Sequence, residues 1–346
     1  MALTRIQPPA LADVREPNFR NIIINGDMAV SQRATSAASV ATQQYPAVDR
    51  FQFGLAGTMG TWTFSQDTDV PTGQGFANSF KMDCTTADAS PAAADAIRIA
   101  QIIEGQNLQY LKKGTSSAVP LTLSFWVKSV LTGTYIAELY DVDNTRQVSK
   151  SYTISSASTW EYKTITFPAD TTGAFTNDNN ASLYLNFFVG AGTDYTSGSL
   201  NTSWAAVTNA NRAVGQVNLA NSTSNNFWIT GIQMEAGSVA TDFEVNTFAQ
   251  NLERCRRYAL VLGDAPGGAA YDTFFKGVIG HYYNATDFYP NFNFPIVMRS
   301  VPGTTFSTAS SGFGTVYSNG SGRANTSNGT NATYETNINF RVSTAS

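Results

Sequence analysis

The sequence predicts an all-β protein: an antiparallel β-sandwich, a short linking helix and then a smaller C-terminal β domain. Three observations lead there. Apolar residues recur at every second position in several short runs, which is the period of a half-buried strand. Gly, Asn and Asp turn signals separate those runs. Helical spacing shows only after Thr247, where Phe248, Leu252, Cys255 and Ala259 share one face.

The elements follow in order. Residues 1–20 hold Pro8, Pro9 and Pro17, and proline fixes φ and removes backbone donors, so this stretch is an extended N-terminal attachment arm. Ile22-Ile23-Ile24 is expected as a buried strand, closed by the turn residues Asn25-Gly26-Asp27. Leu121, Leu123, Phe125 and Val127 alternate with Thr122, Ser124 and Trp126; Leu183, Leu185, Phe187 and Val189 alternate with Tyr184, Asn186 and Phe188. Leu131-Thr-Gly-Thr134 fits a hairpin turn, and Gly190 to Gln216 is a long polar connection. Phe227 and Ile229 open a last strand, expected to pair with the first and close a domain over 21–246. Thr247 with Gln250 has the form of a capping box, which starts a linking helix over 247–260. The remainder, 261–346, returns to β patterning around Phe274-Phe275, Tyr282-Tyr283, Phe292–Arg299 and a terminal strand through Tyr334 and Asn337–Phe340.

Composition narrows the function classes. Only 13% of the 346 residues are charged, about half the usual ~25%. A surface of hydroxyls and amides suits rigid β-proteins outside cells or in assemblies. The net charge of −4 and isoelectric point near 5.1 offer no basic patch for nucleic acid. Arg254, Arg256 and Arg257 are better placed as cations at a helix C-terminus. Cys84 and Cys255 are too few for a disulfide framework and fit synthesis in a reducing cytoplasm. No apolar run approaches the ~18–20 residues of a membrane span, so membrane insertion is not expected.

Candidate chemistry is sparse. His281 is the one histidine, without the partners of a zinc site or a Ser-His-Asp arrangement, and is taken as structural or incidental. Glu138, Asp141 and Asp143 cluster near a strand end, as the two carboxylates of a glycoside hydrolase would, but nothing in their spacing fixes the geometry. No catalytic residue and no metal ligand is therefore assigned. The aromatic positions are the better lead. Trp126, Tyr184 and Phe188 stand opposite the aliphatic rows, and Asn186 accompanies them. Rings beside amides and hydroxyls suit carbohydrate, whose apolar C–H faces stack while its hydroxyls hydrogen-bond. Packing under loops or against another subunit is the competing use of the same rings.

Two resemblances rest on quoted residues. Asn21-Ile-Ile-Ile-Asn-Gly-Asp-Met-Ala, the central Gln101-Ile-Ile-Glu104, Ser124-Phe-Trp-Val-Lys-Ser129 with Gly133-Thr-Tyr135, and Phe227-Trp-Ile-Thr-Gly-Ile-Gln-Met-Glu235 are similar to segments of jelly-roll carbohydrate-binding modules. Many such modules hold a structural calcium through an acidic residue of the opening motif and an Asp of the closing strand. Here Ala29 and Thr230 or Gly231 occupy those places, so no cofactor is expected. More narrowly, Ser31-Gln32-Arg33, Tyr45-Pro-Ala-Val-Asp49-Arg50-Phe51, Gln233-Met-Glu-Ala-Gly237 with Phe243-Glu244, Cys255-Arg-Arg-Tyr258 and Phe294-Pro-Ile-Val-Met-Arg-Ser-Val-Pro302 resemble, in order, motifs of bacteriophage tail-fibre and related virion proteins. That resemblance implies a non-enzymatic virion structural protein, a homotrimer attached to other virion proteins by its N-terminal arm, found in the virion after synthesis in the bacterial host cytoplasm, and recognising host-surface glycan. The alternatives are a capsid-decorating or head-fibre/connector protein without a ligand, or a polysaccharide depolymerase.

Overall fold

A computed structural model of the chain describes residues 20–261, 280–282, 287–301, 315–318, 321–333 and 337–344, with side chains for 20–261 and 293–301. The attachment arm expected at 1–20 falls almost wholly outside these residues. Twelve strands build the sandwich: β1 (Ser36–Val40), β2 (Gln52–Ala56), β3 (Thr61–Asp67), β4 (Ser79–Thr86), β5 (Ala96–Glu104), β6 (Leu121–Ser129), β7 (Gly133–Asp141), β8 (Arg146–Ile154), β9 (Glu161–Phe167), β10 (Ala181–Ala191), β11 (Ala205–Ala206) and β12 (Asn226–Ala236). They form two antiparallel six-stranded sheets, ordered β1-β3-β4-β12-β6-β9 and β11-β8-β7-β10-β5-β2. The fold is the expected jelly-roll sandwich.

The alternating rows do what their period requires. Leu123, Phe125 and Val127 of β6 and Leu183, Leu185 and Phe187 of β10 face the shared core with Trp62, Phe64, Phe80 and Phe227. Phe64 stacks on Phe80 at 5.5 Å, and Phe125 meets Phe187 edge-on at 5.0 Å. Each such side chain gains roughly 1.5–3 kcal/mol by leaving water. Cys84 and Cys255 are both buried and unpaired with each other.

Two expected connections differ. Leu131–Thr134 is not a hairpin turn, because β6 and β7 belong to different sheets and the link crosses the sandwich. The Tyr135 hydroxyl donates to the Leu131 carbonyl at 2.8 Å there, holding the crossing in place. Alternation marks which residues face inward but not whether sequential strands pair or cross, which is why the two were confused.

Ile22–Ile24 is not a strand either. Asn25 and Met28 adopt left-handed backbone, φ +62° and +60°, so the chain turns where an extended run was expected. The turn still docks on the closing strand. β4 pairs with β12 only over Asn226–Ile229. Beyond a bulge at Gly231–Ile232 that side of β12 has no strand neighbour, and the opening turn takes its place. Ile22 donates to the Met234 carbonyl at 2.9 Å and Ile232 to the Gly26 carbonyl at 2.9 Å. The Asn21 amide donates to the Ile232 carbonyl at 3.0 Å, while its oxygen accepts from Met234 at 3.1 Å and from Ile23 at 3.0 Å. A Cβ on Gly26 would stand 2.1 Å from the Ile232 oxygen, so only glycine allows this approach.

After a short turn of helix α1 (Thr193–Thr196), the connection to β12 lies over the second sheet. Helix α2 (Phe248–Arg256) follows the sandwich as predicted, with the reciprocal Thr247–Gln250 capping box. Its Cys255, with Leu252 and Tyr258 alongside, packs on Ile24 and Val30 of the opening segment. A third antiparallel sheet comprises β13 (Gly280–Tyr282), β14 (Asp287–Asn293), β15 (Thr315–Ser318), β16 (Ser321–Thr333) and β17 (Asn337–Thr344), ordered β13-β14-β17-β16-β15. The strand expected over Phe292–Arg299 ends at Asn293, just before Pro295, which has no donor for a ladder. Phe274, Phe275, Tyr283 and Tyr334 lie outside the described residues, as does the His281 side chain.

Asn21→Ala is expected to leave the Met234 N–H and Ile232 carbonyl unsatisfied, at about 3 kcal/mol. Thermal unfolding should then shift down by roughly 6–12 °C, at ~2–4 °C per kcal/mol for a domain of this size. An unchanged midpoint would contradict the docking role.

Candidate functional site

The outer face of the second sheet leads to a cavity lined in part by Tyr184. Cross-strand register aligns its side chains in rows. Arg98 stands beside Phe188 and Ile136, Ala100 beside Asn186 and Glu138, and Ile102 beside Tyr184 and Tyr140. The connection between β10 and β12 covers Phe188 and Ile136 of the first row, which pack with Ala96 and Ala213 in a small apolar cluster, and leaves Arg98 half-buried. Arg212 of the same connection reaches down to Glu138 with a two-pronged contact, at 2.7 and 2.9 Å, and the Asn186 amide donates to the same carboxylate at 2.8 Å. Tyr140 and Phe188 flank the Arg212 guanidinium at 5.0 and 5.7 Å. Here Glu138 is bonded to both Arg212 and Asn186 beneath the connection.

The third row opens into a cavity of about 240 Å3 at the end of the sheet. Tyr45, Arg50, Ile102, Glu104, Tyr184 and Arg299 line it, with Arg33, Asp49 and Tyr258 around them. Five separate segments supply these walls: 33–50, 102–104, and those bearing Tyr184, Tyr258 and Arg299. Tyr184 and Tyr140 meet edge-on at 6.1 Å, and burial raises the Tyr184 phenol above its usual range.

One carboxylate organises the walls. Glu104, at the end of β5, is 1% exposed. Arg257 donates to its two oxygens at 2.9 and 2.8 Å, Gln106 donates at 2.6 Å, and the Tyr258 hydroxyl donates as well. Burial opposes ionisation of Glu104, but the bonds from Arg257, Tyr258 and Gln106 outweigh it and hold the carboxyl below its usual range. Burial pushes the Tyr258 phenol up to about 12. Arg257 also donates to the Val297 carbonyl at 3.1 Å and accepts from the Arg299 N–H at 2.9 Å, which brings the 293–301 segment to the cavity.

Asp49 is 1% exposed and accepts from the Gln32 side chain at 2.5 Å and from Arg33 at 3.4 Å. Burial raises its carboxyl, against those bonds. Arg50 has φ +76°, a left-handed backbone that a long side chain rarely adopts. Its guanidinium packs on the Tyr258 ring, 3.4 Å from the centroid, and donates to the Ile102 carbonyl. Strain of this kind is retained where surroundings over-determine it, often at a binding site.

The structure divides the four residues singled out from sequence. Tyr184 lines the cavity. Asn186 and Phe188 share its face but are 1% and 0% exposed, one held by Glu138 and the other under the connection. Trp126 lies on the first sheet, beside Tyr162 of β9 at 5.3 Å, on the opposite side of the sandwich. These four do not form one site. The carboxylates are likewise dispersed: Glu138 binds Arg212, Asp141 pairs with Lys113 at 2.6 Å, and Asp143 accepts from Thr176 at 2.9 Å. Sequence reasoning missed Tyr45, Arg50 and Arg299 as site residues, although all three sit in segments it had marked as motifs.

A calcium at the opening motif does not fit. The Gln66 amide donates to the Met28 carbonyl at 2.7 Å and to the Ala29 carbonyl at 3.1 Å, and Thr230 donates to the Asn78 carbonyl at 2.7 Å. Donor groups thus occupy the oxygens a hard cation would need. Among the described residues no three His, Cys, Asp or Glu side chains gather as a metal site, and no helix is long and apolar enough to cross a membrane.

No protein-family model matches the chain, and no curated protein matches it in sequence. Solved structures do. The enzymatically active domain of bacteriophage CBA120 tailspike protein 4 is similar at 15% identity and a TM-score of 0.32, over 63% of this chain and 22% of that one. The family 11 carbohydrate-binding module of a cellulosomal cellulase of Clostridium thermocellum is similar at 13% identity and 0.28, over 59% of this chain and 98% of its own. A family 30 carbohydrate-binding module is similar at 10% identity and 0.30, over 67% and 94%.

Because the folded-state pKa of Glu104 is depressed, its stabilising effect is present above the unfolded value of about 4.3 and is lost as pH falls through the lower folded value. Urea unfolding of the wild type and Glu104→Gln should therefore differ at pH 7, with the gap narrowing below about pH 4.3 and closing only as pH falls through the lower folded value. A gap that stays constant down to acid pH would show that the Glu104 charge contributes nothing.

Proposed function

We propose that this chain is a bacteriophage virion appendage protein, a tail fibre, and that its sandwich recognises host-surface glycan at the cavity beside Tyr184 without chemical turnover. One observation carries the reading. The segments that resemble phage tail-fibre motifs are far apart in sequence, yet Arg33, Tyr45, Asp49, Arg50, Tyr258 and Arg299 from those segments meet around a single cavity with Tyr184. The chemistry there suits a sugar: rings from Tyr45 and Tyr184 offer apolar faces, and guanidinium groups offer donors to hydroxyls. The cavity of about 240 Å3 is far above the ~10–15 Å3 a water needs and below the ~300–1,000 Å3 of sites for drug-sized ligands, so it suits one sugar residue. In this reading the N-terminal arm attaches a homotrimer to other virion proteins. Carboxylates at the cavity serve structure, since Glu104 and Asp49 are occupied by Arg257, Tyr258, Gln32 and Arg33.

The two outer faces give a direct test. Binding of purified protein to host-surface polysaccharide, followed by titration calorimetry, should weaken about tenfold in Tyr184→Ala, equivalent to ~1.4 kcal/mol. Trp126→Ala, on the other sheet, should leave it unchanged. Loss in the Trp126 variant alone would move the site to the first sheet. Antibody labelling that decorates the particle's head instead of its tail would overturn the fibre assignment.

A further inference from the structure

Arg98 has no use in the fold described so far. It projects from β5 onto the outer face of the second sheet, half-buried, and makes no hydrogen bond or ion pair with any described residue. A guanidinium withdrawn from water without an acceptor is unfavourable, and burial together with the charge of Arg212 lowers its pKa. The nearby carboxylates form no ion pair with it, because each is bonded elsewhere: Glu138, whose charge still reaches Arg98, with Arg212, Asp49 with Arg33, Glu104 with Arg257. The position is nonetheless built to hold an arginine. Facing it on edge strand β2 is Gly54, where a Cβ would stand 2.8 Å from the Arg98 Cγ and 3.0 Å from its Nε.

Arg98 is one of three such groups. Arg50 and Arg299 donate to the Ile102 and Asn179 carbonyls and form no ion pair with a described carboxylate. In a chain of net charge −4, this face therefore carries three guanidinium groups with no ion pair of their own among the described residues. Tyr184 lies among them, within electrostatic reach of both Arg98 and Arg299. An aromatic ring flanked by cations is matched by a sugar ring that bears an acid. Guanidinium is the side chain best shaped for such a group, since its fork donates two parallel hydrogen bonds to a carboxylate or phosphate.

We propose that the outer face of the second sheet selects acidic saccharides, with Arg98 binding the carboxylate or phosphate of a sugar whose ring lies against Tyr184. This rests on the glycan-binding reading and adds the charge class of the ligand.

The full-length protein on an array of neutral, uronate-bearing, sialylated and phosphorylated saccharides should bind only acidic members, and the members bound tell carboxylate from phosphate. For a uronate ligand, its methyl ester should bind wild-type protein at least tenfold more weakly, a comparison that needs no variant. Arg98→Gln should lose the acid preference with its melting temperature unchanged or raised, because an unpaired buried charge has been removed. Arg98→Lys should retain part of the preference. Binding to neutral saccharides alone, or equal binding of acid and ester, overturns the acidic selection and leaves the glycan reading intact. A lower melting temperature in Arg98→Gln makes Arg98 a structural residue and overturns its assignment. Silence across the whole array removes the glycan reading itself.

Discussion

A central strand that outruns its neighbour sets the terms for this molecule. β12 has eleven residues, but β4 pairs with only four of them before the bulge at Gly231–Ile232. The backbone groups beyond the bulge are buried, and buried N–H and C=O groups without partners cost about 1–3 kcal/mol each. The chain meets that demand with a turn. Asn21 and Gly26 supply the missing donors and acceptors, and the Gln101 amide grips Ile24 from the other sheet, accepting at 2.8 Å and donating at 2.9 Å. One short segment therefore ties both sheets together at one end of the sandwich.

Everything near the cavity follows from where that turn sits. Asn25 donates to the carbonyls of Val30 and Asp49, at 2.9 and 3.0 Å, which fixes the Asp49–Arg50 corner. Asp27 accepts from Asn251 of α2 at 3.0 Å, and Ile24 and Val30 pack on Cys255. The helix is thus held against the opening segment, and its last turn delivers Arg257 and Tyr258 to Glu104. The site is assembled by polar side chains bonding to the backbone of distant segments, an arrangement in which few residues are individually replaceable. The cation excess is its electrostatic consequence: carboxylates were spent on holding walls together, and guanidinium groups remained.

Much of this was legible in the residues. Period-two alternation identified β6 and β10 and their core faces, and the Thr247–Gln250 pair located the start of α2. The polar motif residues Asn21, Gln101, Gln32 and Tyr258 were visible as a pattern, although their work became apparent only as bonds between segments. What failed has physical reasons. Three consecutive isoleucines suggest a strand, but left-handed backbone at Asn25 and Met28 turned them into a docked corner. Alternation separates inside from outside without saying which sheet a strand joins, so Trp126 and Tyr184 were grouped although the whole core lies between their faces. Arg98 became informative only once each neighbouring carboxylate had been matched to its partner.

The most direct measurement is a crystal structure of the full-length protein soaked with a uronate oligosaccharide that it binds. The account predicts a sugar ring against Tyr184 at the mouth of the cavity, with its acidic group on Arg98. Density for the sugar over Trp126 and Tyr162 on the first sheet would contradict it.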